Sequence, residues 1–291
     1  MDTAARQHHL LGPVVVGTDG SDQATRAVLW AAAEATARDQ PLAVVHGAGA
    51  RHARYWTPDS PLTAVDEGRA VLDLAAATVG DRYPGLKVDT VLSRADPGES
   101  LLEATGPEST LVVGSRGHGG FGSLLLGSVG LHVSARSRGP VIVVREVTEP
   151  AAGAVVVAVR DDGDRGALRF AALTAQARGA SLRVVSAWMF LEGAGSMVAV
   201  VDDVGEIARL EIEATERTVD PVREEFPGLA ITEDVVRSRS VAGSLVEVSP
   251  TADLLVMGAR RPARSVGAPL GRVTHAVLHH ARCPVAVVPR G

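Results

Sequence analysis

The chain repeats itself once, and that repeat limits its fold more tightly than any other feature. "PVVVGTDGS" at 13–21 returns as "AVVVAVRDD" at 154–162, and "LAVVHG" at 42–47 returns as "SLRVVSAW" at 181–188. "RYPGLKVDTVL" (82–92) answers to "EFPGLAITEDVV" (225–236), and "STLVVGSRG" (109–117) to "ADLLVMGAR" (252–260). "GPVIVV" (139–144) answers to "CPVAVV" (283–288), and helical alanine-rich segments at 22–39 and 164–178 complete the set. The landmarks keep their order at offsets from 139 to 144 residues. So long a period denotes two whole domains, not a solenoid, and a length of 291 residues agrees. The expected layout is a flexible tail at 1–11, a first domain at 12–146 and a second at 154–291, with "EVTEPAAGA" (146–154) as linker.

Each half alternates strand-like and helical stretches about five times, the pattern of α/β units around a mostly parallel sheet covered on both faces. The Val/Leu/Ile runs are nearly continuous, as strands buried on both faces allow. Longer helices are expected at 62–82 and 203–225, each stopping just before Pro-Gly. Apolar residues make up 46%, enough for real cores, and the net charge of −5 comes without a basic tract. That balance argues against binding nucleic acid by bulk phosphate neutralisation. No apolar run approaches the roughly 18 residues of a membrane span. "MDTAARQHHLLGP" does not read as a signal peptide. One cysteine, Cys283, excludes an intrachain disulfide. A soluble protein of the reducing cytoplasm is expected.

In an open parallel sheet, ligands sit outside the carboxyl ends of the strands where strand order reverses. The loops after "VVVGTD" and after "TLVVG" meet that description. The second is "GSRGHGGFGSLLLGSV", 114–129, with six glycines, and it is costly to order. It reads Gly114-Ser115-Arg116-Gly117, nine residues, then Gly127-Ser128. This is neither Walker A nor the dinucleotide G-x-G-x-x-G. The physics is related: glycines let backbone N–H groups approach an anion, and Gly127-Ser128 opens a helix whose N-terminal N–H groups attract phosphate.

With these residues the chain resembles the universal stress proteins, whose ATP-binding members carry G-x2-G-x9-G-S/T after the fourth strand. Gly114, Gly117, Gly127 and Ser128 match without a gap, and "VGTDGS" and "GPVIVV" match as well. The likeness spans nearly the whole chain as two tandem domains. It implies two Rossmann-like (adenine nucleotide alpha hydrolase-like) three-layer sandwiches, each with a five-stranded parallel sheet in the order 3-2-1-4-5. It also implies ATP at the loop. Gly17 and Thr18 would line the pocket and Asp19 would stand near the ribose or the metal-phosphate region. Val45 backbone would meet adenine. Ser115, Arg116, His118 and Gly119 belong to the loop, and Ser128 with Val129 would close over the phosphates. Mg²⁺ suits the phosphates, since hard cations favour their oxygens. No metal site made of protein side chains is expected. Family members dimerise, and a tandem chain would mimic one dimer, leaving a homodimer of chains open.

The second half departs from this pattern. Its aligned positions read Gly258-Ala259-Arg260-Arg261, nine residues, then Gly271-Arg272, and Asp19 aligns with Arg160, followed by Asp161. Two prolines in "ARRPARSVGAPLG" remove N–H donors. Arg260, Arg261, Arg264 and Arg272 nevertheless form a basic set suited to phosphate. Nucleotide binding by this half stays open.

Other residues read more simply. Asp19, Ser21 or Asp22 could cap the first helix. His8-His9 and His279-His280 lack metal-ligand spacing. Cys283 suits an inert core thiol, and Trp30, Trp56 and Trp188 suit packing. The function expected is an ATP-dependent regulator of stress or dormancy acting on a protein partner the sequence does not name. Efficient catalysis is not expected, since no general base stands out for γ-phosphate attack. The alternatives are a slow ATPase on the same scaffold and a nucleotide-independent interaction scaffold.

Overall fold

The structure is a computed structural model, and it describes residues 11–49, 60–117, 126–145, 151–188, 204–259 and 270–290. The chain divides into two compact units, one holding the first five strands and the other the last five.

The first unit runs β1 (Val14–Gly17), α1 (Asp22–Ala37), β2 (Leu42–Gly47), α2 (Ser60–Arg82), β3 (Val88–Ser93), α3 (Pro97–Ala104), β4 (Thr110–Gly114), α4 (Ser128–Arg136) and β5 (Val141–Val144). Every described strand pairing within it is parallel, and the order is β3-β2-β1-β4-β5. Val14 stands opposite both Leu42 and Thr110, so the order reverses between β1 and β4. Helix α1 contacts α2, and α3 contacts α4, two helical layers on one sheet. Central strands β1 and β4 are buried almost throughout, whereas edge strand β3 exposes Asp89, Thr90 and Val91. Strand position thus sets the residue pattern: a central strand has two covered faces and an edge strand does not.

Local chemistry sets the ends. Ser21 caps α1, its hydroxyl accepting the Ala24 N–H at 3.2 Å, while Ala24, Ala27, Val28 and Ala31 bury the face that packs on the sheet. Gly20 turns the chain into this cap with φ of 80°, a left-handed conformation in which a side chain would be strained. Leu11, placed in the tail on sequence grounds, is buried at 4% exposure; residues 1–10 lie outside the described residues, as does Trp56.

The second unit follows the same plan: β6 (Ala154–Ala158), α5 (Arg165–Arg178), β7 (Ser181–Trp188), α6 (Val204–Glu225), β8 (Ile231–Arg237), α7 (Val241–Val248), β9 (Leu254–Ala259), α8 (Arg272–His280) and β10 (Val285–Pro289). Its pairings are again parallel, in the order β8-β7-β6-β9-β10. A single 3-10 turn, Asp162–Asp164, precedes α5. Cys283 lies buried, and burial pushes its thiol up to about 12. No helix among the described residues is long and apolar enough to cross a membrane.

Candidate functional site

The carboxyl ends of β1 and β4 meet at the reversal of strand order in the first unit, and most of the residues singled out by sequence gather there. Gly17 ends β1; a Cβ on it would stand 2.9 Å from Leu101 of α3. Thr18 is buried, and its N–H donates to the Val45 carbonyl at 3.0 Å. That bond ties the end of β1 to β2 and engages the Val45 carbonyl. Asp19 turns back on the chain: its Oδ1 accepts the Ser21 N–H at 3.0 Å. Asp19 therefore shapes the entry to α1, while the cap itself is Ser21.

The glycine segment closes on the same point. Ser115 is buried at 3% exposure; its N–H donates to the Val144 carbonyl and its carbonyl accepts the Gly127 N–H, both at 2.8 Å. The chain thus leaves β4 and re-enters α4 at one place, with Arg116 half-buried beside it. Gly117 lies against Asp19: a Cβ built on it would stand 2.1 Å from Asp19 Oδ2, closer than any real contact. A Cβ on Gly114 would stand 3.1 Å from the Gln23 carbonyl oxygen. Gly127 is the N-cap of α4 and supplies no side-chain bond to the helix, so the first N–H groups of α4 have no capping side chain. Ser128 is exposed and Val129 half-buried at that terminus. His118 and Gly119 lie outside the described residues.

A cavity of about 400 Å³ opens here, lined by Gly20, Ser21, Asp22, Gln23, Arg26 and Gly117. Two features escape sequence reasoning. Gln23 Oε1 is buried with no hydrogen-bond partner among the described residues, although the residue lines this cavity. His46 stands 2.8 Å, through Nδ1, from the Thr18 carbonyl. A carbonyl only accepts, so Nδ1 carries the proton. The cavity also adds Asp22 to Asp19 as a carboxylate at the site. The one available signal was position, Gln23 falling in the first turn after a switch-point strand. A larger cavity, about 600 Å³, lies at the other end of the sheet among Asp39, Arg82, Tyr83 and Lys87. The switch-point rule favours the smaller one.

The second unit is built differently at the corresponding place. Gly258 lies within β9, Gly271 is the N-cap of α8, and Arg272 is exposed in its first turn. Arg260, Arg261 and Arg264 lie outside the described residues. Burial pushes the Asp164 carboxyl up, against the Arg160 N–H and the Arg290 charge. Asp161 moves down: burial opposes this, but the Gly163 N–H, Arg160 and Arg290 together outweigh it. His275 and His279 stack one turn apart on α8, ring centroids 4.3 Å apart. No cluster of three or more His, Cys, Asp or Glu able to hold a metal occurs among the described residues.

Comparison with known proteins places this arrangement. Residues 11–145 and 153–289 each match the Universal stress protein family. The chain is 33% identical over 294 residues to a universal stress protein of Mycobacterium tuberculosis, covering 94% of this chain and 96% of that protein. It is 29% identical over 298 residues to one from Mycolicibacterium smegmatis, covering 94% and 96%. Its fold is similar to the crystal structure of a universal stress protein from Archaeoglobus fulgidus, with a TM-score of 0.74, 19% identity and 98% coverage of both chains.

Proposed function

Since this chain belongs to the universal stress protein family, we propose that its first half binds an adenine nucleotide, ATP by the motif it carries, and works as a nucleotide-dependent regulator. The observation carrying this reading is the convergence of Asp19, Gly114, Gly117 and Gly127 where the strand order reverses. Phosphates would be held by backbone N–H groups of the glycine segment and of the uncapped start of α4, with the Ser128 hydroxyl beside them. Asp19 is a carboxylate that lies against Gly117, where bound ATP would bring negative charge. That juxtaposition suits Mg²⁺ between the two, or a ribose hydroxyl donating to Asp19. We place the protein in the cytoplasm, where its one buried thiol stays reduced.

Regulation by ATP needs two states of the protein that differ in affinity for it. The segment between Ser115 and Gly127 is the element we assign to that change, because both of its ends are pinned by one hydrogen bond. A partner that recognises the loaded form would then read nucleotide supply without hydrolysis.

The test is to denature freshly purified protein and count the adenine nucleotide released per chain, for wild type and for Gly117→Ala and Ser128→Ala. Release from wild type and its loss in Gly117→Ala is expected, because the added methyl collides with Asp19. Ser128→Ala should weaken binding about tenfold, the effect of one hydrogen bond to a charged group at the low end of its range, about 1.5 kcal/mol. Absence of nucleotide from wild type, with no rise in melting temperature on adding ATP, would refute the reading.

A further inference from the structure

Strand register aligns the two halves residue by residue. Val14 faces Leu42 and Thr110, and Val155 faces Leu182 and Leu254. The offset of 141 at the first strand (155 less 14) makes Asp164 the counterpart of Gln23. Leu111 faces Val141 and Leu255 faces Val285, an offset of 144 (285 less 141) that makes Arg290 the counterpart of Glu146. Glu146 lies outside the described residues.

At the Gln23 position the first half has an oxygen with no hydrogen-bond partner among the described residues, beside an open cavity. At the Asp164 position the second half has a filled one. Asp164 Oδ2 accepts the Arg160 N–H at 2.9 Å, at the end of β6. A Cβ on Gly258, the counterpart of Gly114, would stand 2.1 Å from Asp164 Oδ1 and 3.0 Å from Arg290 Cγ. Arg290 Nε stands 2.9 Å from the same Oδ1, with side-chain exposures of 7% and 6%. The Arg290 Nη2 pairs with Asp161 Oδ1, and Asp161 Oδ2 pairs with Arg160 Nε at 3.0 Å. Carboxylate and guanidinium thus bridge the carboxyl ends of β6, β9 and β10, where this fold puts ligands.

We infer that the second half is a closed site, its crevice occupied by its own Asp164–Arg290 pair, so that the chain carries one nucleotide site and not two. The count of one rests on the nucleotide reading above; the closure does not. Among the described residues, a phosphate entering this crevice meets two carboxylates, and Arg290, which lies between them, is already engaged by both. Displacing the guanidinium would strand a buried charge, which proteins tolerate poorly. Gln23 avoids this in the first half: a neutral amide has no need of a buried counter-ion.

Two measurements on the full chain test the inference. Equilibrium dialysis with radiolabelled ATP and Mg²⁺ is run on wild type and on Gly117→Val. One nucleotide per wild-type chain and none in the variant is expected. Two per chain, or one retained in the variant, would overturn the closed site. None in wild type would overturn the nucleotide reading alone, and the second measurement then decides. Denaturation midpoints are compared for Asp164→Asn, Arg290→Met and the double variant. Each single change should lower the midpoint, and the double should lose clearly less than their sum, since neither charge is left alone. Additive losses would mean that the two side chains do not hold each other, and closure would fall.

Discussion

Arg38 is wholly buried in the first unit, and it is buried as an ion. It pairs with Glu34, itself 1% exposed, with Nε donating to Oε1 at 2.7 Å, while Nη1 donates to Thr110 Oγ1 at 2.7 Å. The pair fastens the end of α1 to the start of β4. Removing one partner of such a pair costs about 3–5 kcal/mol, whereas apolar replacement of both is often neutral. Arg38→Met should therefore lower the urea midpoint sharply, and Glu34→Leu/Arg38→Met should recover most of the loss. Equal midpoints for the single and double variants would contradict this. Neither this pair nor Asp164–Arg290 was legible beforehand. Glu34 and Arg38 lie four apart on a helix, but that spacing is equally that of a solvated surface pair. Asp164 and Arg290 are 126 residues apart (290 less 164), and no local pattern marks a contact of that span. The glycines were legible because backbone approach to Asp19 and Ser115 demands a residue type that sequence displays.

The elements themselves were largely open to reading. Helices expected at 62–82 and 203–225 run Ser60–Arg82 and Val204–Glu225, each ending beside its Pro-Gly. Strand runs were found because each is a short β-branched block between breakers. Pro221 is the instructive departure. It sits inside α6, where proline removes a backbone bond, yet the helix runs through it. Packing prevails: Val219 and Val222 bury the inner face at 0% and 5% exposure and Phe226, just past the helix end, is buried at 2%, while Pro221 itself is exposed. A proline in a helix interior costs about 3 kcal/mol against alanine, and about 1 kcal/mol returns through the stiffer unfolded chain. Pro221→Ala should therefore stabilise the protein by about 2 kcal/mol in denaturant titration. A loss of stability would show that α6 needs the proline's geometry.

At the scale of the whole molecule, duplication has produced two copies of one scaffold with different contents at the same place. The scaffold was legible, since alternating units imply a parallel sheet and the family resemblance implies its strand order; the contents were not, since they turn on single substitutions such as Gln23 against Asp164. Fold alone does not assign function to either copy. If ligand enters only the first half, its effects should concentrate there. Hydrogen exchange followed peptide by peptide, with and without ATP and Mg²⁺, reads this directly. Slower exchange is expected at 14–24, 110–117 and 126–136, where strand ends and the start of α4 meet the ligand. The counterparts at 155–165, 254–259 and 270–280 should exchange at unchanged rates, because their polar groups already hold one another. Protection appearing at both sets would mean either a second bound nucleotide or coupling between halves. The dialysis count separates these: two nucleotides in the first case, one in the second. Protection at the first set alone would make the second copy a fixed frame, with the regulated change confined to the half whose crevice is open.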